Sequence, residues 1–182
     1  MIDPFALLGL PRSPHLDPGD VDRAWRDLNR EAQGGASDEA AALNEARARL
    51  LDPVSRLAAW LDLVDPGGAP ERGISPDLMD LFTRIGPILA STDSLLARHR
   101  QASTAIARAL LAKEAVAAQL AVQGLLQEIQ PLKNALIDRF PEFGATAATG
   151  RWVEARRALG QLKFLKRWEE QCQQRLLALL AT

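Results

Sequence analysis

Apolar residues recur along this chain at spacings of three and four, and they never alternate over the length of a strand. Val21, Ala24, Trp25, Leu28 and Ala32 form one stripe of a single helix. Ala40, Leu43, Ala46 and Leu50 mark the next helix, and Val54, Leu57, Ala58 and Leu61 the one after. The last helix, from about 151 to 180, carries Trp152, Ala155, Leu159, Leu162, Leu165, Trp168, Cys172, Leu176 and Leu179. Its threes and fours are the seam of an antiparallel bundle. The pattern predicts an all-α protein.

Proline, glycine and capping residues punctuate these stripes. Asp3-Pro4 opens a short helix through Leu8, with proline in the first turn where its missing N–H costs nothing, and Gly9-Leu10-Pro11 ends it. Asp17-Pro18 opens the second helix with Asp17 as N-cap and Asp20 at N3, and Gly34-Gly35 closes it. Ser37 caps a third helix and Asp52-Pro53 starts a fourth. Residues 65–73 are dense in turn formers and read as the one clear linker. Ser75-Pro76 caps a helix that Gly86-Pro87 should bend or break. An alanine- and leucine-rich segment follows to Phe143, interrupted at Pro131 and ended by Pro141, and Gly144 to Gly150 is a turn of small residues. The expected organisation is a four-helix module over 1–65, a linker over 66–74 and a C-terminal antiparallel three-helix bundle over 75–182.

Composition narrows the function classes. Hydrophobic residues at 47% and charged ones at 25% are ordinary for a soluble globular protein, and a net charge of −1 exerts no global pull on nucleic acid or anionic membrane. The basic cluster of Arg151, Arg156, Arg157, Lys163, Lys166 and Arg167 is interleaved with Glu154, Glu169 and Glu170, which argues against a nucleic-acid partner. No uninterrupted apolar run approaches the roughly 20 residues of a membrane span. The start, Met-Ile-Asp-Pro-Phe, lacks a basic region followed by an apolar core. A cytoplasmic protein with no membrane partner is expected. Cys172 is the single cysteine, expected buried, and it excludes an internal disulfide or a cysteine zinc site. His15 and His99 are far apart and expected at the surface. Neither a nucleophile–base pair nor paired carboxylates occurs, so no catalytic, cofactor-binding or metal-binding residues are expected and the protein reads as a non-enzyme.

Two regions invite a functional reading. The flank of the second helix opposite its apolar stripe carries Arg23, Arg26 and Arg30, outweighed by Asp20, Asp22, Asp27 and Glu31, and the turn that follows, Gln33-Gly34-Gly35, has neither proline nor charge. After the linker, Leu78, Leu81 and Ile85 form one stripe while Met79 and Phe82 form a second beside it, more apolar face than one seam requires. In the last helix Phe164 lies about 100° off the Leu162–Leu165–Trp168 seam, so it is expected to project from the bundle.

The order of these elements and motifs resembles a J domain, and more narrowly the HscB family of iron–sulfur-cluster co-chaperones. Phe5-Ala-Leu-Leu8-Gly-Leu-Pro11 resembles that family's Phe-x-Leu-Phe-Gly-Leu-Pro, and Leu16-Asp17 its Leu-Asp before helix two. Asn44 between Leu43 and Ala46 resembles Ile-Asn-x-Ala, and Pro53 through Arg56 and Leu61 resembles Pro-x-x-Arg-Ala-x-x-Leu. Trp152-Val-Glu-Ala155 with Leu159, Leu162-Lys-Phe-Leu165 and Lys166 resembles Trp-x-x-Ala…Leu-Arg-Phe-Leu-x-Lys.

The resemblance implies a protein client, an iron–sulfur scaffold, gripped by Leu78, Met79, Phe82, Lys163 and Phe164. It implies a DnaK-type chaperone met by Arg23, Arg26 and Arg30. The sequence departs from the family at the trigger itself. The His-Pro-Asp tripeptide that stimulates ATP hydrolysis by the chaperone falls on Gln33, Gly34 and Gly35, counted without a gap. Proline there fixes the turn, and aspartate offers a carboxylate to a chaperone arginine. Gln-Gly-Gly supplies neither, and its two glycines add entropy that a partner has to freeze. A charge-assisted pair of this kind contributes about 1.5–3 kcal/mol, on the order of a ten- to hundredfold effect. The expected function is a client-binding, co-chaperone-type protein with weak or no ATPase stimulation. The alternative is a structural or regulatory interaction module unrelated to iron–sulfur assembly.

Overall fold

A computed structural model describes residues 2–31, 37–68, 76–145 and 152–181. Among them are eight α-helices and no strand: α1 (Pro4–Leu7), α2 (Pro18–Glu31), α3 (Ser37–Leu51), α4 (Pro53–Val64), α5 (Pro76–Gln101), α6 (Ala105–Ile137), α7 (Phe140–Ala145) and α8 (Trp152–Leu180). The chain is all-α. Asp3 caps α1, its Oδ1 accepting from the amides of Phe5 and Ala6 at 3.0 and 3.2 Å. Burial pushes its carboxyl up. The Ala6 amide, the Arg12 guanidinium and the Phe5 amide outweigh that and hold it below the ordinary carboxylate range. Asp52 caps α4 in the same way, accepting from Ser55 N at 3.0 Å.

The helices form two compact units, each discontinuous in sequence. The first takes residues 1–72 and 136–160, the second 73–135 and 161–182. The boundary at 72/73 falls within the expected linker, but residues 136–160, expected in the C-terminal bundle, group with the first unit. Four short helices alone enclose little core, and the first unit gains Phe140, Phe143 and Ala155 from later in the chain, all buried. Trp60, 1% exposed on α4, meets Trp152 edge-on with ring centroids 5.5 Å apart. Arg56, also on α4, is buried: its Nε donates to the Pro14 carbonyl at 2.8 Å and its Nη1 to the Leu50 carbonyl at 2.7 Å. It thereby ties the loop before α2 to an otherwise orphaned carbonyl in the last turn of α3.

The start of the expected linker is structured. Arg156 pairs with Asp65 (Nε to Oδ2, 2.7 Å), donates to the Gly68 carbonyl at 2.6 Å and to the Asp65 carbonyl as well. Gly67 adopts φ +79°, and a Cβ on Gly68 would collide with the Arg156 guanidinium. Arg156 is thus an internal clasp rather than a member of a surface basic cluster.

In the second unit α5, α6 and the part of α8 from Gln161 onward make a three-helix bundle. Neighbours in sequence run antiparallel: Arg84 reaches Glu128 while Arg98 reaches Glu114, and Lys133 reaches Glu169. Its core holds Leu81, Ile85, Leu125, Ile129, Leu162, Leu165 and Cys172. Burial pushes the Cys172 thiol up to about 11, with the Arg175 charge opposing.

Neither Pro87, expected to bend or break its helix, nor Pro131 interrupts one: both lie inside continuous helices. Both prolines are exposed, and core seams continue on either side, with Ile85 and Leu89 flanking the first. Gly86 also removes the Cβ against which a following proline ring clashes. Pro141 is the second residue of α7 rather than the end of a helix, since α6 already stops at Ile137, and Gly144 and Ala145 belong to α7. A third correction concerns hydropathy. The helical stretch Ala105–Ala145 contains an 18-residue window of mean hydropathy 1.3, long and apolar enough to cross a membrane, although interspersed charges hide it from a search for unbroken runs.

Candidate functional site

The second stripe of α5 and the off-seam face of α8 meet within the bundle. Leu78, Leu81 and Ile85 turn inward and are buried, which leaves Met79 and Phe82 on the outside. On α8, Leu162 and Leu165 are fully buried, and Phe164 projects as its angular offset requires. Trp168, 7% exposed, lies between the two phenylalanines, its centroid 6.0 Å from Phe82 and 6.1 Å from Phe164.

The result is an aromatic platform with a flexible thioether at its edge. Met79, Phe82 and Phe164 are 48%, 54% and 46% exposed, values that separate them from the core. Lys163 is exposed beside them. Asp80 on the same helix is engaged by Arg84 at 3.2 Å. Leu78, grouped with these residues by its sequence motif, is instead 2% exposed and supports the platform from the core. Half-exposed aromatics and a methionine on a rigid base suit recognition of an apolar protein surface. The role of Trp168 was hidden in the sequence by its place on the core seam, although its spacing of four from Phe164 is the signal that the two stack.

The other sequence-derived region is the outward flank of α2. Arg23 pairs with Asp20 at 3.2 Å and Arg30 with Asp27 at 3.3 Å, while Arg26 Nε donates to the Asp22 carbonyl at 3.1 Å. All three are exposed, and two of them, Arg23 and Arg30, pair with carboxylates of the same helix. The inner side of α2 is held by Trp25, whose Nε1 donates to Asn44 Oδ1 at 3.0 Å beneath the Arg47 guanidinium, 4.7 Å above the ring. Asn44 therefore serves as an acceptor between helices. Gln33, Gly34 and Gly35 lie outside the described residues.

Among the described residues no three or more histidine, cysteine, aspartate or glutamate side chains gather as metal ligands. His15 is exposed and His99 half-buried. Cys172 is buried and free of any disulfide.

No protein-family model matches the sequence, and no curated protein sequence matches it either. Solved structures do match. Chaperone HscB from Vibrio cholerae superposes with a TM-score of 0.58 at 19% identity, over 95% of this chain and 96% of that one. Human co-chaperone protein HscB superposes with a TM-score of 0.62 at 17% identity, over 96% of this chain and 82% of that one. The chain therefore has an HscB-like all-α fold along nearly its whole length.

Proposed function

We propose that this protein is a non-enzymatic, co-chaperone-type protein that binds a protein client through Met79, Phe82, Lys163 and Phe164. We take the client to be an iron–sulfur scaffold and the compartment to be the cytoplasm. The observation that carries the reading is the solvent-facing aromatic platform around Trp168, on a fold shared with two HscB chaperones. Stimulation of a DnaK-type ATPase is weak or absent. The sequence at 33–35 lacks the proline and carboxylate of the trigger, and two of the three arginines of α2, Arg23 and Arg30, are already paired with carboxylates of their own helix.

Two measurements test this. Steady-state ATPase of the cognate chaperone is expected to rise little when the full chain is added. Installing Gln33→His, Gly34→Pro and Gly35→Asp together is expected to raise it clearly, and strong stimulation by the unmodified chain refutes the second half of the proposal. Pull-down with the scaffold is expected to succeed with wild type and to be lost with Met79→Ser and Phe164→Ser. Capture indifferent to both changes, or none at all, favours an interaction module with another client.

A further inference from the structure

A second surface of the three-helix bundle, remote in sequence from the aromatic platform, is built to take a helix. Helix α6 carries two seams. Leu111, Ala115, Ala118, Val122, Leu125 and Ile129 follow a 4-3-4-3-4 spacing and face the bundle. Ile106, Leu110, Lys113, Ala117, Leu120 and Gly124 repeat the same spacing about 140° around the helix. A globular protein needs only the first. On the second, Ile106, Leu110 and Leu120, with the adjacent Val116, are between 58% and 75% exposed. These four side chains present on the order of 500 Å² of apolar surface, more than half of the roughly 800 Å² that one side of a standard interface buries.

The outer seam borders a groove between α5 and α6, about 550 Å³ in volume. Arg98 and Glu114, both in its lining, pair at one end, and Arg84 with Glu128 ties the two helices again beyond it. The walls mix small side chains, Ser91 and Ser94 on α5 and Ala117 and Ala121 on α6, with the apolar Ile88 and Leu95. Small side chains allow a third backbone to approach, and the apolar ones give it a surface to bury.

Charge selects the kind of helix. Lys113 is the one ionic group in the outer seam, exposed, and without an ion pair among the described residues. The single acidic residue between Ala102 and Gln127 is Glu114, already held at both oxygens by Arg98 at 2.6 and 2.9 Å. A second copy packed α6 against α6 would bring Lys113 no free carboxylate over this stretch, and in parallel register would set lysine against lysine. We infer that the groove and outer seam of α6 bind one amphipathic, acidic α-helix of a different protein, completing a fourth helix of the bundle.

A 21-residue helical peptide with leucine at heptad seam positions and glutamate flanking them is the probe, against the same peptide with lysine in place of glutamate. Fluorescence anisotropy with the full chain is expected to show the acidic peptide binding about fivefold tighter than the basic one. Lys113→Glu is expected to reverse that order. Leu110→Gln with Leu120→Gln, both solvent-facing, is expected to weaken the acidic peptide more than tenfold with an unchanged melting curve. Failure of both peptides to bind, or binding indifferent to these changes, overturns the inference. So does capture of anionic phosphatidylglycerol vesicles through the same leucines, or concentration-dependent dimerisation abolished by their replacement.

Discussion

Replacing Arg56 with methionine removes the guanidinium that ties two separate carbonyls together while keeping most of the stem's volume. The side chain is buried, with bonds of 2.8 Å to Pro14 and 2.7 Å to Leu50, and its Cζ stands 6.0 Å from the Phe140 ring centre. Each charge-assisted hydrogen bond is worth about 1.5–3 kcal/mol, and the ring contact adds about 0.5–1 kcal/mol. Opposing this is the desolvation of the cation. Burial already pushes the Arg56 pKa down against the Asp52 charge, and methionine relieves that cost. Two carbonyls stripped of their donors outweigh the relief, and the expected loss is about 3 kcal/mol. Urea unfolding of the full chain reads it, because Trp25, Trp60 and Trp152 all belong to the first unit. Arg56→Lys keeps the charge on one nitrogen, reaches one carbonyl, and is expected to fall between methionine and wild type. A methionine variant within about 1 kcal/mol of wild type would refute the reasoning, since water would then replace the guanidinium at no cost.

Three further outcomes are expected. The Asp3 carboxyl titrates below its ordinary value of 3.8, so its contribution is present above that pH and is lost as pH falls through the folded pKa; Asp3→Asn should flatten the stability profile below about pH 4. The buried Cys172 thiol, pushed up to about 11, should react with an aromatic disulfide reagent at pH 8 on the order of a hundredfold slower in native protein than in urea. Arg156→Met removes the clasp on Asp65 and Gly68 and should lower first-unit stability by about 2 kcal/mol in the same urea titration, whereas the exposed Arg157→Met should change little.

Helix type and the inward stripes were legible in the sequence because periodicity reports burial directly. Leu43, Ala46 and Leu50, and likewise Val54, Leu57 and Leu61, face inward as their spacing predicts. Helix ends at proline were not. Proline's local cost of about 3 kcal/mol is a property of an isolated helix, and Pro87 and Pro131 sit on helices whose core seams offset it. Met79, Phe82 and Phe164 were identified by excess apolar face, and their exposure follows from the seam that takes Leu78, Leu81 and Leu165 inward. The long-range partners were illegible. Nothing local to Trp60 names Trp152, and nothing local to Arg156 names Asp65, ninety-one residues away. The stripe spacing predicts which side of a helix is covered, not which segment covers it.

The discontinuity of the first unit sets the order in which the protein matures on the ribosome. Its early helices emerge first, yet the Phe140 ring that closes over Arg56, the Trp152 edge that seals Trp60 and the Arg156 clasp arrive only after most of the chain has been made. The N-terminal helices must therefore wait, incompletely covered, while the intervening bundle helices are synthesised. A fragment ending at residue 74 would leave Trp60 without its cover and Arg56 without its stacking ring, and is expected to be less stable than the same helices in the full chain.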